Sequence, residues 1–213
     1  MKIEFFDVLP DPLSDTPLVE NSCWKTQFEI GSHQYSIAEA ASGTGKTTLL
    51  SIIYGIRKDH SGMVSFDGKD VDSFSKRDWV ELRTTKLSMV FQDLRLFGDL
   101  TAKENIQLKN DLTGTFTAVE IREFAKRLGV EEQLEKPCKK LSLGQQQRIA
   151  MIRALAQPFQ FLLLDEPFSH LDENNSQKAS ALIKEICDQN NAGIILTSLG
   201  PNSFFEYNNR IVI

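Results

Sequence analysis

Long apolar runs are missing from this chain of 213 residues, and so is any excess of positive charge. No stretch reaches the roughly 20 apolar residues that cross a bilayer, so membrane contact is expected only through a partner. The N-terminus, MKIEFFDVLPDPL, lacks a basic start followed by a long apolar run, and no signal peptide is expected. The formal net charge of -5 argues against a protein that tracks a phosphate backbone through a basic face. No nucleic-acid partner is expected. Cys23, Cys138 and Cys187 are scattered, odd in number and without a CxxC pair, which excludes a disulfide framework and fits reduced thiols. His33 and His60 have no companion His or Cys at ligand spacing and read as solvated surface residues. No internal repeat or low-complexity tract stands out. What is there, 41% hydrophobic and 25% charged residues, is ordinary for a globular protein. The length suits one domain, or a core with a small second lobe.

MKIEFF opens like a strand, and DVLPDPLSDTP reads as an exposed, turn-rich loop. QYSIA (34–38) is a short strand running into a Gly-rich loop, and KTTLLSIIYGI continues at helical spacing. GMVSFDGKDV predicts a hairpin around Asp67 and Gly68, and KLSMVF a further strand. From Gln92 to Lys140 the texture is polar and helix-like, including TAVEIREFAKRLGV, and predicts a helical lobe. LSLGQQQRIAMIRALAQ starts a helix whose Met151, Ile152 and Leu155 form a core stripe. FLLL and GIIL suit central parallel strands covered on both faces. Strands alternating with helices predict an α/β core.

Two stretches carry chemistry. In EAASGTGKTTLL (Glu39–Leu50) the glycines let the backbone approach a phosphate, and the N–H groups at the helix start point at the anion. Lys46 adds charge near the β- and γ-phosphates, and Thr47 offers a hydroxyl to Mg²⁺. Ala40 stands where such a loop normally opens with glycine. A Cβ there costs on the order of 1 kcal/mol if the backbone must be left-handed. An acid at Glu39 repels phosphate unless it points away. Nucleotide binding is expected, at some cost in affinity. In FLLLDEPFSHLD (Phe161–Asp172) an apolar strand ends in Asp165 and Glu166, at the carboxyl edge where open α/β folds bind ligands. Asp165 is placed to hold Mg²⁺ through its water shell, and Glu166 to take a proton from an attacking water.

Taken together these motifs resemble the nucleotide-binding subunits of ATP-binding cassette (ABC) transporters over nearly the whole chain, in the family's order. Ala40, Ala41, Ser42, Gly43, Thr44, Gly45, Lys46 and Thr47, continuing into Thr48, match the Walker A loop. Gln92 in VFQD matches the Q-loop glutamine, LSLGQ (141–145) the signature, LLLDEP Walker B, and SHLD (169–172) the D-loop. FQDLRLFGDLTAKENI looks closest to the lipoprotein-release, macrolide-export and cell-division group. The resemblance implies a P-loop NTPase core with a mainly parallel sheet, an N-terminal β subdomain and a small helical subdomain. The single domain 1–213 then divides into a nucleotide-binding core, 1–91 and 140–213, and a helical subdomain, 92–139. It implies ATP and Mg²⁺ as ligands, with Thr47, Gln92 and Asp165 at the metal and Glu166, Gln92 and Lys46 at the chemistry. Two such domains pair head to tail, so that Ser142, Gly144 and Gln145 face the partner's nucleotide. ATP closes the dimer, hydrolysis releases it, and a membrane-spanning permease feels the change from the cytoplasmic face.

Further departures concern turnover. Leu143 replaces the first glycine of the signature, where a branched side chain crowds the partner's nucleotide. Ser198 stands at the switch-histidine position and carries no positive charge; His170, in the D-loop, is not an obvious substitute. The chain stops at NNRIVI, short of the family's usual last hairpin. No aromatic is identified for adenine stacking, since Phe5, Phe6 and Trp24 do not match the expected place. Three readings stand at this point: an ATPase energising a membrane transporter, a slow or non-hydrolytic nucleotide-binding subunit paired with a more complete one, and a soluble ABC ATPase acting away from membranes.

Overall fold

Two kinds of strand build two sheets. The computed structural model describes residues 1–41 and 43–213; Ser42, read above as part of the phosphate loop, lies outside the described residues. In chain order the elements are β1 (Lys2–Pro10), β2 (Gln27–Gly31), β3 (Tyr35–Glu39), α1 (Lys46–Ile53), β4 (His60–Phe66), β5 (Lys69–Asp70) and α2 (Lys76–Thr85). There follow β6 (Leu87–Val90), α3 (Ala102–Asn110), α4 (Ala118–Arg127), α5 (Leu143–Leu155), β7 (Phe161–Asp165), α6 (Glu173–Asn190), β8 (Gly193–Ser198) and β9 (Asn209–Ile211).

β1 alternates buried Ile3 and Phe5 with half-buried Lys2, Glu4 and Phe6, the period-two pattern of a strand with one wet face. It pairs antiparallel with β2 and β4 in a sheet ordered β2-β1-β4-β5. Here the structure corrects the sequence reading, because DVLP is strand rather than loop. Asp7 is left-handed (φ 50°), the register shifts between Phe6 and Leu9, and pairing resumes with Leu9 on Ser61 and Pro10 on His60. A bulge of this kind leaves no periodic trace in a sequence.

β7 is buried at all its positions, and β8 at all but Ser198. They lie inside a parallel sheet ordered β6-β7-β8-β3-β9. Leu162, Leu164, Ile194 and Leu196 pack in one core with α5, α6 and the helices before them, and Met151, Ile152 and Leu155 belong to it. Phe161, Leu163 and Ile195 pack in a second core with α1, β1 and β4. Between β6 and β7 the chain forms α3, α4 and α5. Each opens on a reciprocal capping box, Thr101 with Glu104, Thr117 with Glu120 and Ser142 with Gln145.

All strands of the second sheet point the same way, so their carboxyl ends share one edge. That edge collects Glu39 from β3, Asp165 from β7, Ser198 from β8, and the turn after Val90 that carries Gln92.

Candidate functional site

The chain leaves β3 at Glu39 and enters α1 at Lys46. Gly45 caps the helix at φ 110°, where an L side chain is strained. A Cβ at Gly45 would also lie 3.1 Å from Leu13 and 3.4 Å from Trp24 and Ile213. Lys46 is only 5% exposed, and its ammonium donates to the carbonyls of Ala40 (2.5 Å) and Ala41 (2.6 Å). Both partners are uncharged. A buried cation held only by dipoles is incompletely compensated, and an anion bound beside it would supply the missing charge. The Thr44 hydroxyl donates to the Ala41 carbonyl (2.9 Å) and tightens the loop. A cleft of about 320 Å³ is lined by Gly43, Gly45, Lys46, Thr47 and Thr48 together with Gln92 and Glu166.

Two conditions set on this loop by the sequence are decided by the structure. Ala40 is not among the residues with left-handed backbone, and its N–H donates to the Ser198 carbonyl (3.3 Å), continuing the β3–β8 pairing. Its Cβ therefore carries no conformational cost. Glu39 is turned away from the cleft: its carboxylate accepts from the Arg210 guanidinium (2.5 Å) and the Asn202 N–H (3.2 Å).

Asp165, 1% exposed, accepts from the hydroxyl of Thr197 (2.7 Å), its cross-strand neighbour on β8. Asp165 shares an adjoining cleft with Thr47 and Gln92, and the Thr47 hydroxyl lies 3.5 Å from Gln92 Oε1. A hydroxyl, an amide oxygen and a carboxylate thus converge. Such an oxygen set fits a small hard dication that keeps several waters. Among the described residues no group of three His, Cys, Asp or Glu could hold a metal by itself. Glu166 is left-handed (φ 48°). Its N–H donates to the hydroxyl and carbonyl of Thr197, each at 3.2 Å, and its carbonyl accepts from Gln147 Nε2 (3.3 Å). These bonds fix the backbone, and Glu166 stands between the phosphate-loop cleft and a second one lined by Ser169 and Ser198. The Ser198 hydroxyl is engaged in its own turn, donating to the Gly200 carbonyl (2.7 Å).

Sequence reasoning missed Thr197 and Gln147. Thr197 had a signal: a hydroxyl at the end of an apolar run that reads as a central parallel strand. Gln147 had none, since its partners Glu166, Ser169 and the His170 N–H (3.1 Å) all lie on a later loop. Phe5 and Trp24 are core residues, and Phe6, on β1, lies in register with Gln27 of β2 and Met63 of β4. Pro12, Leu13 and Thr16 line the phosphate-loop cleft instead.

The structure does not bring Ser142, Gly144 and Gln145 to this cleft. They form the start of α5, where the Ser142 hydroxyl accepts from the Gln145 N–H (3.3 Å) and Gln145 Oε1 from the Ser142 N–H (3.0 Å). Leu143 is 48% exposed. A Cβ on Gly144 would lie 2.8 Å from the His170 carbonyl oxygen. Position 143 is thus open to solvent, whereas Gly144 stands where a side chain has no room.

Comparison with known proteins supplies relatives by sequence and by fold. The family model described as ABC transporter matches residues 40–169. The lipoprotein-releasing system ATP-binding protein LolD of Buchnera aphidicola subsp. Schizaphis graminum is 33% identical over 178 residues, covering 82% of this chain and 77% of that one. The putative hemin import ATP-binding protein HrtA of Staphylococcus epidermidis is 34% identical over 190 residues, covering 87% and 84%. Among solved structures, the dimeric bacterial ABC transporter cassette MJ0796 superposes with a TM-score of 0.79 at 25% identity, covering 93% of this chain and 88% of that one.

Proposed function

The chain belongs to the ABC transporter family, as an ATP-binding subunit that powers transport, and we propose that the sheet edge described above is its nucleotide and Mg²⁺ site. Lys46 is the observation that carries this reading: a buried ammonium resting on two neutral carbonyls at a helix start. It exchanges Ala40 and Ala41 for the β- and γ-phosphates, while the N–H groups and dipole of α1 meet the same anion. Thr47, Gln92 and Asp165 would hold Mg²⁺, which would supply positive charge against the phosphates. Glu166, with its backbone fixed on both sides, takes a proton from the attacking water. Gly43, Thr44, Gly45 and Thr48 shape the cleft.

The chain works as part of a pair. Ser142, Gly144 and Gln145, outside their own cleft, face the nucleotide of a second cassette. Ser198 leaves the phosphate without a histidine, so turnover depends on Glu166. The other partner is a membrane-spanning permease, through which the chain sits on the cytoplasmic face of the membrane. Residues 92–139 act as the helical lobe toward that partner. An apolar groove beside Gln92, with exposed Phe97, Leu108 and Leu112 on its wall, supports this placement. No helix of the described residues is long and apolar enough to cross a membrane.

Steady-state ATPase assays on the purified chain test the site. Lys46→Ala is expected to abolish Mg-ATP binding. Glu166→Gln is expected to keep binding and lose turnover by about 10²–10³-fold. Wild-type turnover in Glu166→Gln would remove the carboxylate from the mechanism.

A further inference from the structure

Arg153 lies near the end of α5, is 9% exposed, and sends both its guanidinium hydrogen bonds to the turn that follows Gln92. Nη2 donates to the Leu94 carbonyl and Nη1 to the Arg95 carbonyl, each at 2.6 Å. Burial depresses its pKa, and Asp93 is a carboxylate that opposes the shift. An arginine placed this deep against two carbonyls is not explained by surface charge.

The turn it grips is an unusual one. Leu94 and Arg95 are consecutive left-handed residues, φ 59° and 48°, and neither is glycine. That conformation is disfavoured for any residue with a Cβ and persists only where its surroundings impose it. Within the turn the Leu94 N–H donates to Phe91 (2.9 Å), the Arg95 N–H to Asp93 (2.6 Å), and the Arg95 guanidinium lies 4.1 Å over the Phe91 ring. Those restraints are internal to residues 91–95. The two bonds from Arg153 tie the turn to another element. A planar fork suits this task, because it meets two carbonyls at once in a fixed geometry. The turn begins with Gln92, whose Oε1 lies 3.5 Å from the Thr47 hydroxyl.

We propose that Arg153 is a positioning residue: its guanidinium clamps the left-handed Leu94–Arg95 turn and so holds Gln92 within reach of Thr47 and the phosphate cleft. The inference rests on the reading of Gln92 and Thr47 as donors to the bound metal. α5 is also capped by Ser142, so one helix joins the signature segment to the turn that carries Gln92.

The test is Arg153→Lys, which keeps the charge and removes the fork. Hydrogen exchange at the Leu94 and Arg95 amides is expected to speed up. The kcat for Mg-ATP is expected to fall about tenfold or more, in the range of lost metal-site supports, with KM for nucleotide unchanged. In a Gln92→Ala background Arg153→Lys is expected to cost nothing further, since the two act through one contact. Arg153→Met is the second variant; it buries no cation, so it separates the clamp from any folding defect of a misplaced charge. Unchanged exchange with full turnover overturns the clamp. Multiplying losses in the double variant overturn its action through Gln92. If exchange rises but neither Gln92→Ala nor Arg153→Lys alters turnover, the metal-site reading of Gln92 has failed, and the positioning role falls with it while the clamp stands.

Discussion

Lys46 and Glu166 are held by opposite means. Lys46 is held by its side chain, which is buried and donates to two backbone carbonyls. Glu166 is held by its backbone, through Thr197 and Gln147, and the residue lines two open clefts. The residue that disturbs the familiar loop pattern, Ala40, touches neither arrangement. Ala40→Gly is therefore expected to change Mg-ATP affinity by less than about twofold, well under the ~1 kcal/mol of a left-handed site; isothermal titration decides it, and a clearly tighter Ala40→Gly would contradict the backbone seen here. Thr197 is the opposite case, unremarked in the sequence but bonded to both Asp165 and Glu166. Thr197→Val keeps the strand and removes the hydroxyl from the buried carboxylate. It is expected to lower turnover or Mg²⁺ affinity by about 10–100-fold, read from kcat over a Mg²⁺ titration. Wild-type Mg²⁺ dependence would mean that Asp165 does not need its neighbour.

α5 shows how one element carries several constraints along its length. Its first turn is capped by Ser142 and Gln145, its second residue packs against the loop after Glu166, its middle belongs to the core under the sheet, and Arg153 reaches across to the Leu94–Arg95 turn. The close approach at Gly144 is the tightest of these. A methyl there must displace the backbone carbonyl of His170, because the 2.8 Å contact is with main chain rather than a flexible side chain. Gly144→Ala is expected to destabilise the fold by roughly 1–3 kcal/mol, the usual range for overpacking, seen as a lower midpoint in thermal unfolding. An unshifted midpoint would show that the loop gives way freely.

For the molecule as a whole, the scarce cysteines become a stability property. Burial pushes the Cys23 thiol up from 9.0 to about 12. It also raises Cys187, where Asp188 adds to the effect, and Cys138, where Arg153 opposes it. Because the folded pKa is raised, the unfolded chain ionises first. The stability these thiols contribute is complete below about pH 9 and is lost as pH climbs toward about 12. Tyr35 and Tyr207, also raised chiefly by burial, add to the loss at the alkaline end. Urea midpoints at about pH 8 and about pH 10.5 are expected to differ, the alkaline one lower, and the gap is expected to narrow in Cys23→Ala. An identical gap in that variant would assign the alkaline loss to other groups.

Much of this was legible in one dimension. The glycine-lysine-threonine spacing of the loop and the acids closing an apolar run are local patterns, because each is built from neighbours on one strand-to-helix turn or one strand end. Membership of the family follows from their order. What no local pattern contained was the set of bonds between strands and loops distant in sequence. Glu39 is neutralised by a residue 171 positions away, Asp165 is held by one 32 away, and Glu166 by one 19 away. Those pairs exist because parallel strands align their carboxyl ends, and because register sets which side chains face each other there. The motifs and their order determined that this chain binds nucleotide. Tertiary structure decided that Ala40 is harmless, that Glu39 faces away and that Gln92 is held near Thr47, since each depends on backbone conformation and on partners that only folding brings within hydrogen-bond range.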